Sequence, residues 1–268
     1  MTAEALAGEG DFRSPFETAI RHIDCDSVGS TNSEALARAR SGEVGPLWIT
    51  ARTQTEGRGR RGRSWRSAPG NLHATLLLRD PSPAVLAPQL SFVAGLAVYD
   101  AILEVVEGGR QRIALKWPND VLCEGAKVGG ILIEGEGEPL AVAIGIGINC
   151  EHHPDDTEYP ATDLRAHGVA NATSDRMFRS LTIAMARRLV QWRRGKNFAS
   201  VRADWLARAH PVGSNLLVRL PERELSGLFE ALDDAGRLLL RLPDGSTELI
   251  TAGDIFPIGR RPTTATAS

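Results

Sequence analysis

Apolar positions along this chain recur with two periods, and the change between them divides it. Across residues 86–106 they fall at Leu90, Val93, Ala94, Ala97, Val98, Ala101, Ile102 and Val105. That is the spacing of a helix with one buried face, and it predicts the longest helix of the chain. Two more helices are predicted over 174–194 and 198–209. Shorter apolar runs predict strands near 20–25 and at 47–51, 72–78, 113–117, 128–133 and 140–148. Gly/Glu turns separate the last two, which implies antiparallel pairing. Thr31 stands three residues before Glu34 and an Ala/Leu/Arg run follows, ended by Gly42. The spacing predicts a capping box and a helix over 35–40, with Ser30, Thr31 and Asn32 at its N-terminus beside free backbone N–H groups.

After Pro211-Val212-Gly213 only short alternating runs remain, at 216–220, 225–231, 238–242 and 247–250. They are separated by turn chemistry at Asp233-Asp234-Ala235-Gly236 and Pro243-Asp244-Gly245. The predicted class is therefore α+β. A mixed, mainly antiparallel sheet packed with helices spans 16–211, and a small C-terminal SH3-like β-barrel spans 212–259. Residues 1–15 and 260–268 are expected to be flexible ends.

Composition narrows the picture. The net charge is −2 over 268 residues, so no global basic bias points to nucleic acid or a membrane surface, and any anion site must be built locally. Cys25, Cys123 and Cys150 are far apart, which argues against a disulfide framework or a zinc site and favours a reducing compartment. No signal peptide is read at the N-terminus and no uninterrupted apolar window reaches membrane-spanning length; a cytoplasmic protein is expected. His22, His73, His152, His153, His167 and His210 show no metal-ligand spacing, so no metal is expected to be held by the protein. No P-loop or Gly-x-Ser-x-Gly is present.

Four segments carry candidate chemistry. Between Gln54 and Trp65, glycines alternate with Arg58, Arg60, Arg61 and Arg63. Glycine lets backbone approach a ligand closely, and guanidinium forks match phosphate and carboxylate oxygens. Each charge-assisted hydrogen bond is worth roughly 1.5–3 kcal/mol. Such a loop should repel itself when empty and order around an anion; a solvated basic loop or an RNA-binding patch has the same composition. Lys116-Trp117-Pro118-Asn119-Asp120 groups a cation, an aromatic, an amide and an acid around a proline, and is also ordinary turn chemistry. Lys127, at the start of the strand containing Gly129 and Gly130, could aim its ammonium into a cleft, or stand in solvent on a hairpin. In Ile144-Gly145-Ile146-Gly147-Ile148-Asn149, one strand face is bare backbone. A flat ring could lie there with Asn149 reading its edge, or the glycines could serve packing alone.

In this order, Gly29-Ser30-Thr31-Asn32, Gln54 to Trp65, Lys116 to Asp120 with Lys127 to Glu134, and Gly145 to Asn149, the set resembles the biotin–protein ligase family. The segment Ala252-Gly253-Asp254-Ile255 resembles the close of that family's end domain. The resemblance implies a class II synthetase-like catalytic domain that uses ATP and Mg²⁺ to activate biotin as an adenylate. Biotin then passes to a lysine of a biotin carboxyl carrier protein, that of acetyl-CoA carboxylase and other biotin carboxylases. It implies biotin contacts for Ser30, Thr31, Asn32, Gln54, Arg58, Gly59, Arg60, Lys127 and Gly130. It implies nucleotide contacts for Arg58, Arg60, Arg63, Trp65, Lys116, Asn119 and Asn149, with Asp120 positioning Lys127 or the incoming lysine. Lys127, Arg58, Arg60 and Asp120 are the expected catalytic set, and Mg²⁺ is expected on the polyphosphate. Some family members carry an N-terminal helix-turn-helix. The 29 residues before Ser30 are too few for one, so the expectation is a monofunctional ligase, monomeric or weakly dimeric, that binds no nucleic acid. A lipoate or octanoate ligase or transferase is the alternative on the same fold, and an RNA-binding module the alternative of another class.

Overall fold

The computed structural model describes residues 21–106 and 111–257. The expected flexible ends, and Ile20 of the first predicted strand, lie outside the described residues. Among the described residues, twelve strands and four α-helices follow the predicted order, with differences at their ends and two strands more.

The first sheet holds seven strands: β1 (Arg21–Val28), β2 (Leu47–Gln54), β3 (Leu72–Arg79), β4 (Ile113–Lys116), β5 (Asp120–Cys123), β6 (Ala126–Glu136) and β7 (Ala141–Ile148), in the spatial order β1-β2-β3-β7-β6-β5-β4. The β1–β2 pair is parallel and the remaining pairs are antiparallel. Strand β5 was not foreseen, because Asp120 and its neighbours read as a turn. The turn is Trp117 to Asn119, and Asp120 pairs with Lys116 at the hairpin's first rung. Glu124 and Gly125, both with positive φ, close the β5–β6 hairpin, the geometry a tight two-residue connection requires.

Period-2 alternation sorts the sheet's two faces. Val142, Ile144, Ile146 and Ile148 of β7 join Trp48, Leu72, Leu76 and Leu78 in the main core. There they meet α2 (Leu90–Val106), α3 (Ser174–Trp192) and α4 (Phe198–Leu206). Ala141 and Ala143 point the other way with Leu47, Ile49 and Leu77, under Ala35, Leu36 and Ala39 of α1 (Thr31–Arg40). Helix α1 covers one end of that second face only. Beyond it, Gly145 and Gly147 leave the sheet bare, and the cleft described below lies there.

Three predicted helix boundaries are corrected. The α-helix predicted from residue 86 starts at Leu90, and Ala84–Gln89 forms a 3₁₀ segment containing Pro88, which lacks the N–H an α-turn needs. Helices α3 and α4 end at Trp192 and Leu206 rather than 194 and 209, α3 where Arg193 turns left-handed. The capping box does not form. Ser30 occupies the N-cap, the Thr31 hydroxyl donates to Gln54 instead, and Glu34 pairs with Arg38. The stretch ending in α2 is by length and apolarity alone suited to a bilayer. Here α2 runs through the core with Val93, Ala97, Ala101 and Ile102 fully buried.

The second sheet comprises β8 (Asn215–Arg219), β9 (Glu224–Leu232), β10 (Leu238–Arg241), β11 (Thr247–Ile250) and β12 (Asp254–Pro257), all antiparallel, in the order β11-β10-β9-β8-β12. It is small and SH3-like, as the alternating runs predicted. Strand β12, of four residues, is the second unforeseen one; its first residues were read only as the close of the end domain. The sheet docks on the first unit through the Asp233–Gly236 turn. The Trp117 indole N–H donates to the Gly236 carbonyl at 3.0 Å, and Arg202 binds the Leu232 carbonyl and Asp234. Gly236 has φ +81°, and a Cβ there would stand 2.6 Å from the Phe92 ring. Gly236→Ala therefore combines left-handed strain with overpacking. It is expected to destabilise the protein by about 2–4 kcal/mol, read as a fall in the urea midpoint; an unchanged midpoint would show that the turn does not seat against this ring.

Candidate active site

One cavity of about 440 Å³ opens on the bare face of the first sheet, bounded by the arginine-rich loop, the 154–161 segment and the edge of β12. The strand alternation that buries the isoleucines of β7 presents Gly145, Gly147 and Asn149 to this side, joined by Gly130 and Leu132 of β6. The bare positions are filled by the protein's own side chains. A Cβ on Gly145 would lie 2.4 Å from Asn32 Oδ1, and one on Gly147 would lie 2.5 Å from the Trp65 ring. The flat ring for which the glycines make room is thus, here, the indole of Trp65, which also lies 3.2 Å from a Cβ built on Gly130.

The inner end of the cleft is lined by neutral hydrogen-bonding side chains. Ser30, Thr31 and Asn32 are buried at the start of α1. Gln54 Oε1 accepts from the Thr31 backbone N–H at 2.9 Å and from its hydroxyl at 3.1 Å. Gln54 Nε2 donates to Ser67 Oγ at 3.0 Å. Thr75 Oγ1 lies 2.8 Å from Thr31 Oγ1 and 2.7 Å from Asn32 Oδ1, and Asn32 Nδ2 donates to Glu134 at 2.7 Å. Such a linked set of hydroxyls and amides holds its rotamers and offers fixed donors and acceptors to a neutral polar ligand.

The outer end is charged. Asp120 accepts from Lys116 Nζ at 2.8 Å and from Lys127 Nζ at 2.6 Å. Burial pushes the Asp120 carboxyl up, but the two ammonium groups, Lys127 more than Lys116, outweigh it and hold the pKa down at about 2. The side chain of Lys116 is 6% exposed and that of Lys127 27%, so Lys127 presents its charge to the cavity while Lys116 supports it from behind. Lys116 Nζ also sits 4.2 Å from the centre of the Tyr159 ring, and Lys127 Nζ 5.6 Å from that of Trp65. The Lys127 backbone is gripped on its second side: its N–H donates to the Pro160 carbonyl at 2.7 Å, and its carbonyl accepts from Thr162 at 2.9 Å.

The arginine loop folds across this arrangement. Gly57 and Gly59 exchange backbone bonds with Trp65 and Arg63. The expected self-repulsion is offset by acids distributed around the loop. Arg58 grips Glu134 with two nitrogens at 3.1–3.2 Å and donates to Ser33 Oγ. Arg61 and Arg63 reach Asp254 of β12 at 3.4 and 2.9 Å. The hydrogen bonds of Arg60 go to neutral oxygens, Asn119 Oδ1 at 3.3 Å and the Gly253 carbonyl at 3.5 Å. Burial lowers the Arg60 pKa, against a raising field from Asp254; at neutral pH it remains a cation poorly supplied with hydration. Six basic and four acidic side chains line the cavity, so it is locally positive on a chain whose net charge is negative.

Every candidate site residue read from the sequence lines this one cavity. Asn149 Nδ2 donates to the Thr162 carbonyl and Asn119 Nδ2 to that of Ile131, and each NH₂ has a second N–H. Sequence reading missed Thr75, Glu134, Asp254 and Tyr159 as partners of the site. Nothing local marks the first three, since each acts on a residue at least 43 positions away. The turn-like Thr157–Tyr159 stretch gave no sign of packing over a lysine.

An uncharged, hydrogen-bonding end thus opens into a cationic end on one face of the sheet. Comparison with known proteins specifies the chain further. Residues 27–150 match the biotin/lipoate A/B protein ligase family, and residues 213–256 match the biotin protein ligase C-terminal domain. The chain is 43% identical over 237 residues to a biotin–[acetyl-CoA-carboxylase] ligase of Paracoccus denitrificans, covering 85% of this chain and 96% of the relative. The biotin protein ligase of Aquifex aeolicus in complex with biotin and ATP superposes with a TM-score of 0.73 at 27% identity, over 88% of this chain and 97% of that one. That of Leishmania major in complex with biotinyl-5-AMP gives 0.62 at 26% identity, over 87% and 99%. The chain belongs to the biotin–protein ligase family.

The Asp120 bridge yields a pH prediction. A carboxyl depressed to about 2 stays ionised, and contributes its pairing to stability, throughout the range above its unfolded value of about 4. That contribution declines as pH falls below the unfolded value and is gone once pH has passed through about 2. The carboxyl-carbon NMR shift of Asp120 is expected to stay flat down to pH 3 and, in Lys127→Ala, to titrate at higher pH. A wild-type midpoint near 4 would mean that the lysines do not hold the carboxylate in solution.

Proposed function

We infer that this chain is an ATP-dependent biotin ligase. It joins biotin to AMP with release of pyrophosphate, then transfers the biotinyl group to a lysine of a carrier protein, the biotin carboxyl carrier of acetyl-CoA carboxylase. The observation that carries the reading is the position of Lys127. Its ammonium stands where the uncharged Ser30–Thr31–Asn32–Gln54 end meets the cationic end, on an Asp120 bridge 2.6 Å away.

The ureido and thiophene rings of biotin suit the uncharged end, where amides and hydroxyls offer paired donors and acceptors. The valeryl carboxylate then extends toward Lys127. For that carboxylate to attack the α-phosphorus of ATP, two anions must approach each other, and fixed cations are the main device that allows it. Lys127 neutralises the carboxylate and then the new adenylate, and Arg58 and Arg60 face the α-phosphate from the loop. Arg63, Lys116, Asn119 and Asn149 complete the nucleotide side, and Trp65 shields it. Asp120 is the one carboxylate between the two lysines and is already satisfied by them. Mg²⁺ brought with the ATP would screen the polyphosphate charge.

The biotinyl-adenylate is a mixed anhydride, consumed by water unless covered. The Gly57–Trp65 loop, latched by Glu134 on one side and Asp254 on the other, is placed to cover it. The carrier's ε-amine then attacks the acyl carbon and AMP leaves. A base of pKa about 2 is poorly matched to removing a lysine proton at neutral pH. Asp120 therefore acts by field and position, holding Lys127 in place; the carrier amine attacks in its neutral form and its proton leaves to solvent. No enzyme nucleophile is needed, in keeping with a site whose reactive-looking groups are cations, amides and hydroxyls.

Incubation with biotin, ATP, Mg²⁺ and a carrier domain is expected to add one biotinyl group to the carrier by intact mass. Calorimetry is expected to give heat with biotin and none with lipoate; heat from lipoate alone would move the chain to the lipoate branch of the fold. Lys127→Ala is expected to fold normally and lose at least a hundredfold in pyrophosphate release, about 3 kcal/mol of transition-state stabilisation. Wild-type release by that variant would remove Lys127 from the mechanism. Arg60→Ala is expected to let adenylate escape, so that bystander proteins become biotinylated; labelling confined to the carrier would show that Arg60 does not retain the intermediate.

A further inference from the structure

We propose that Asn71, which neither lines the cleft nor reaches a substrate, is a positioning residue for its cationic half. Asn71 is 4% exposed and immediately precedes β3. Its Oδ1 accepts three successive backbone N–H groups, those of Cys150, Glu151 and His152, at 3.0, 3.0 and 3.1 Å. Its Nδ2 donates to the His152 carbonyl at 2.8 Å. The amide thus faces the single corner at which the chain leaves β7. Gly70 presses the same corner from beside it. It has φ +92°, and a Cβ there would stand 2.9 Å from the Glu151 carboxylate.

Past that corner the chain forms the outer wall of the site. It runs through Pro154 and Thr157 along the cavity, sets Tyr159 over the Lys116 ammonium, and returns as Pro160 to Thr162 beside Lys127. It is pinned on return by Asn149, whose Nδ2 donates to Thr162. The corner at 150–152 and the return at 160–162 are therefore the two fixed ends of one segment, and that segment holds both the backbone of Lys127 and the cover of Lys116. The uncharged half is built from α1, β2, Ser67, and Thr75 of β3, and its hydrogen bonds reach neither the 150–152 corner nor the 160–162 return. Three N–H donors converging on one oxygen lose their shared acceptor if the amide is removed, so the corner must open to water or move. Either change loosens the lysines and leaves the Gln54 end standing.

The proposal rests on the division of the cleft into a biotin half and an ATP half made above, and the experiment separates the two. Asn71→Ala is expected to lower the rate of adenylate formation, read as pyrophosphate release, at least tenfold and to raise the KM for ATP, with the biotin Kd by calorimetry within twofold of wild type. Asn71→Asp keeps the acceptor, but replaces the donor to His152 with an oxygen and adds a buried charge, so its rate is expected to stay below wild type. Gln54→Ala is expected to weaken biotin binding; unchanged affinity there would count against the division of the cleft, not against Asn71. A wild-type rate in Asn71→Ala, or an equal loss of biotin affinity and rate, would each overturn the role. Should Asn71→Ala fail to fold, hydrogen exchange in the wild-type protein decides. The Glu151 and His152 amides are expected to be as protected as those of β7, and fast exchange there would sink the proposal.

Discussion

Two ammonium groups facing the same cleft repel each other by about 4 kcal/mol at a 4 Å separation in a protein-like dielectric. The active site depends on removing that repulsion without removing the charge. Asp120 does so by standing between Lys116 and Lys127, 2.8 and 2.6 Å away. In exchange, the carboxylate becomes too acidic to serve as a base. The gain is a lysine that is held oriented and available to an anion. The β4–β5 hairpin makes the bridge possible by pairing Lys116 with Asp120 on one rung and passing Lys127 across from the next strand.

The same logic governs the arginine loop. Isolated, it is a run of like charges; folded, each of its contacts is spread over a different part of the chain. Glu134 takes Arg58, Asp254 takes Arg61 and Arg63, and neutral oxygens take Arg60. Pairs this exposed contribute at most about 1 kcal/mol each, so they set the loop's position without sealing it. An arriving polyphosphate can compete for the same guanidinium groups.

The C-terminal sheet is part of this site rather than an appendage. At one edge it supplies Asp254 and the Gly253 carbonyl to the loop. At its other contact, the Gly236 carbonyl receives the indole N–H of Trp117, the residue next to Lys116. A single unit thereby touches both the loop that covers the reactants and the hairpin that carries the cations.

Helices, most of the strands, the α+β class and the change of texture after Gly213 were legible in the sequence, because burial on one face writes a period of 3.6 or 2 into the residues themselves. The motif residues were legible as an ordered set resembling one family; singly, each also read as a turn, a solvated loop or a packing glycine. Partnership was not legible. Thr31 looked like half of a capping box until Gln54 proved nearer than Glu34. The bare face of Gly145 and Gly147 looked like a bed for a ligand until Asn32 and Trp65 filled it. Asn71 carried no local signal at all. A hydrogen bond or ion pair depends on distance in space, and the chain segments that supply Glu134, Asp254 and the corner at Cys150 approach their partners only after the sheet has formed.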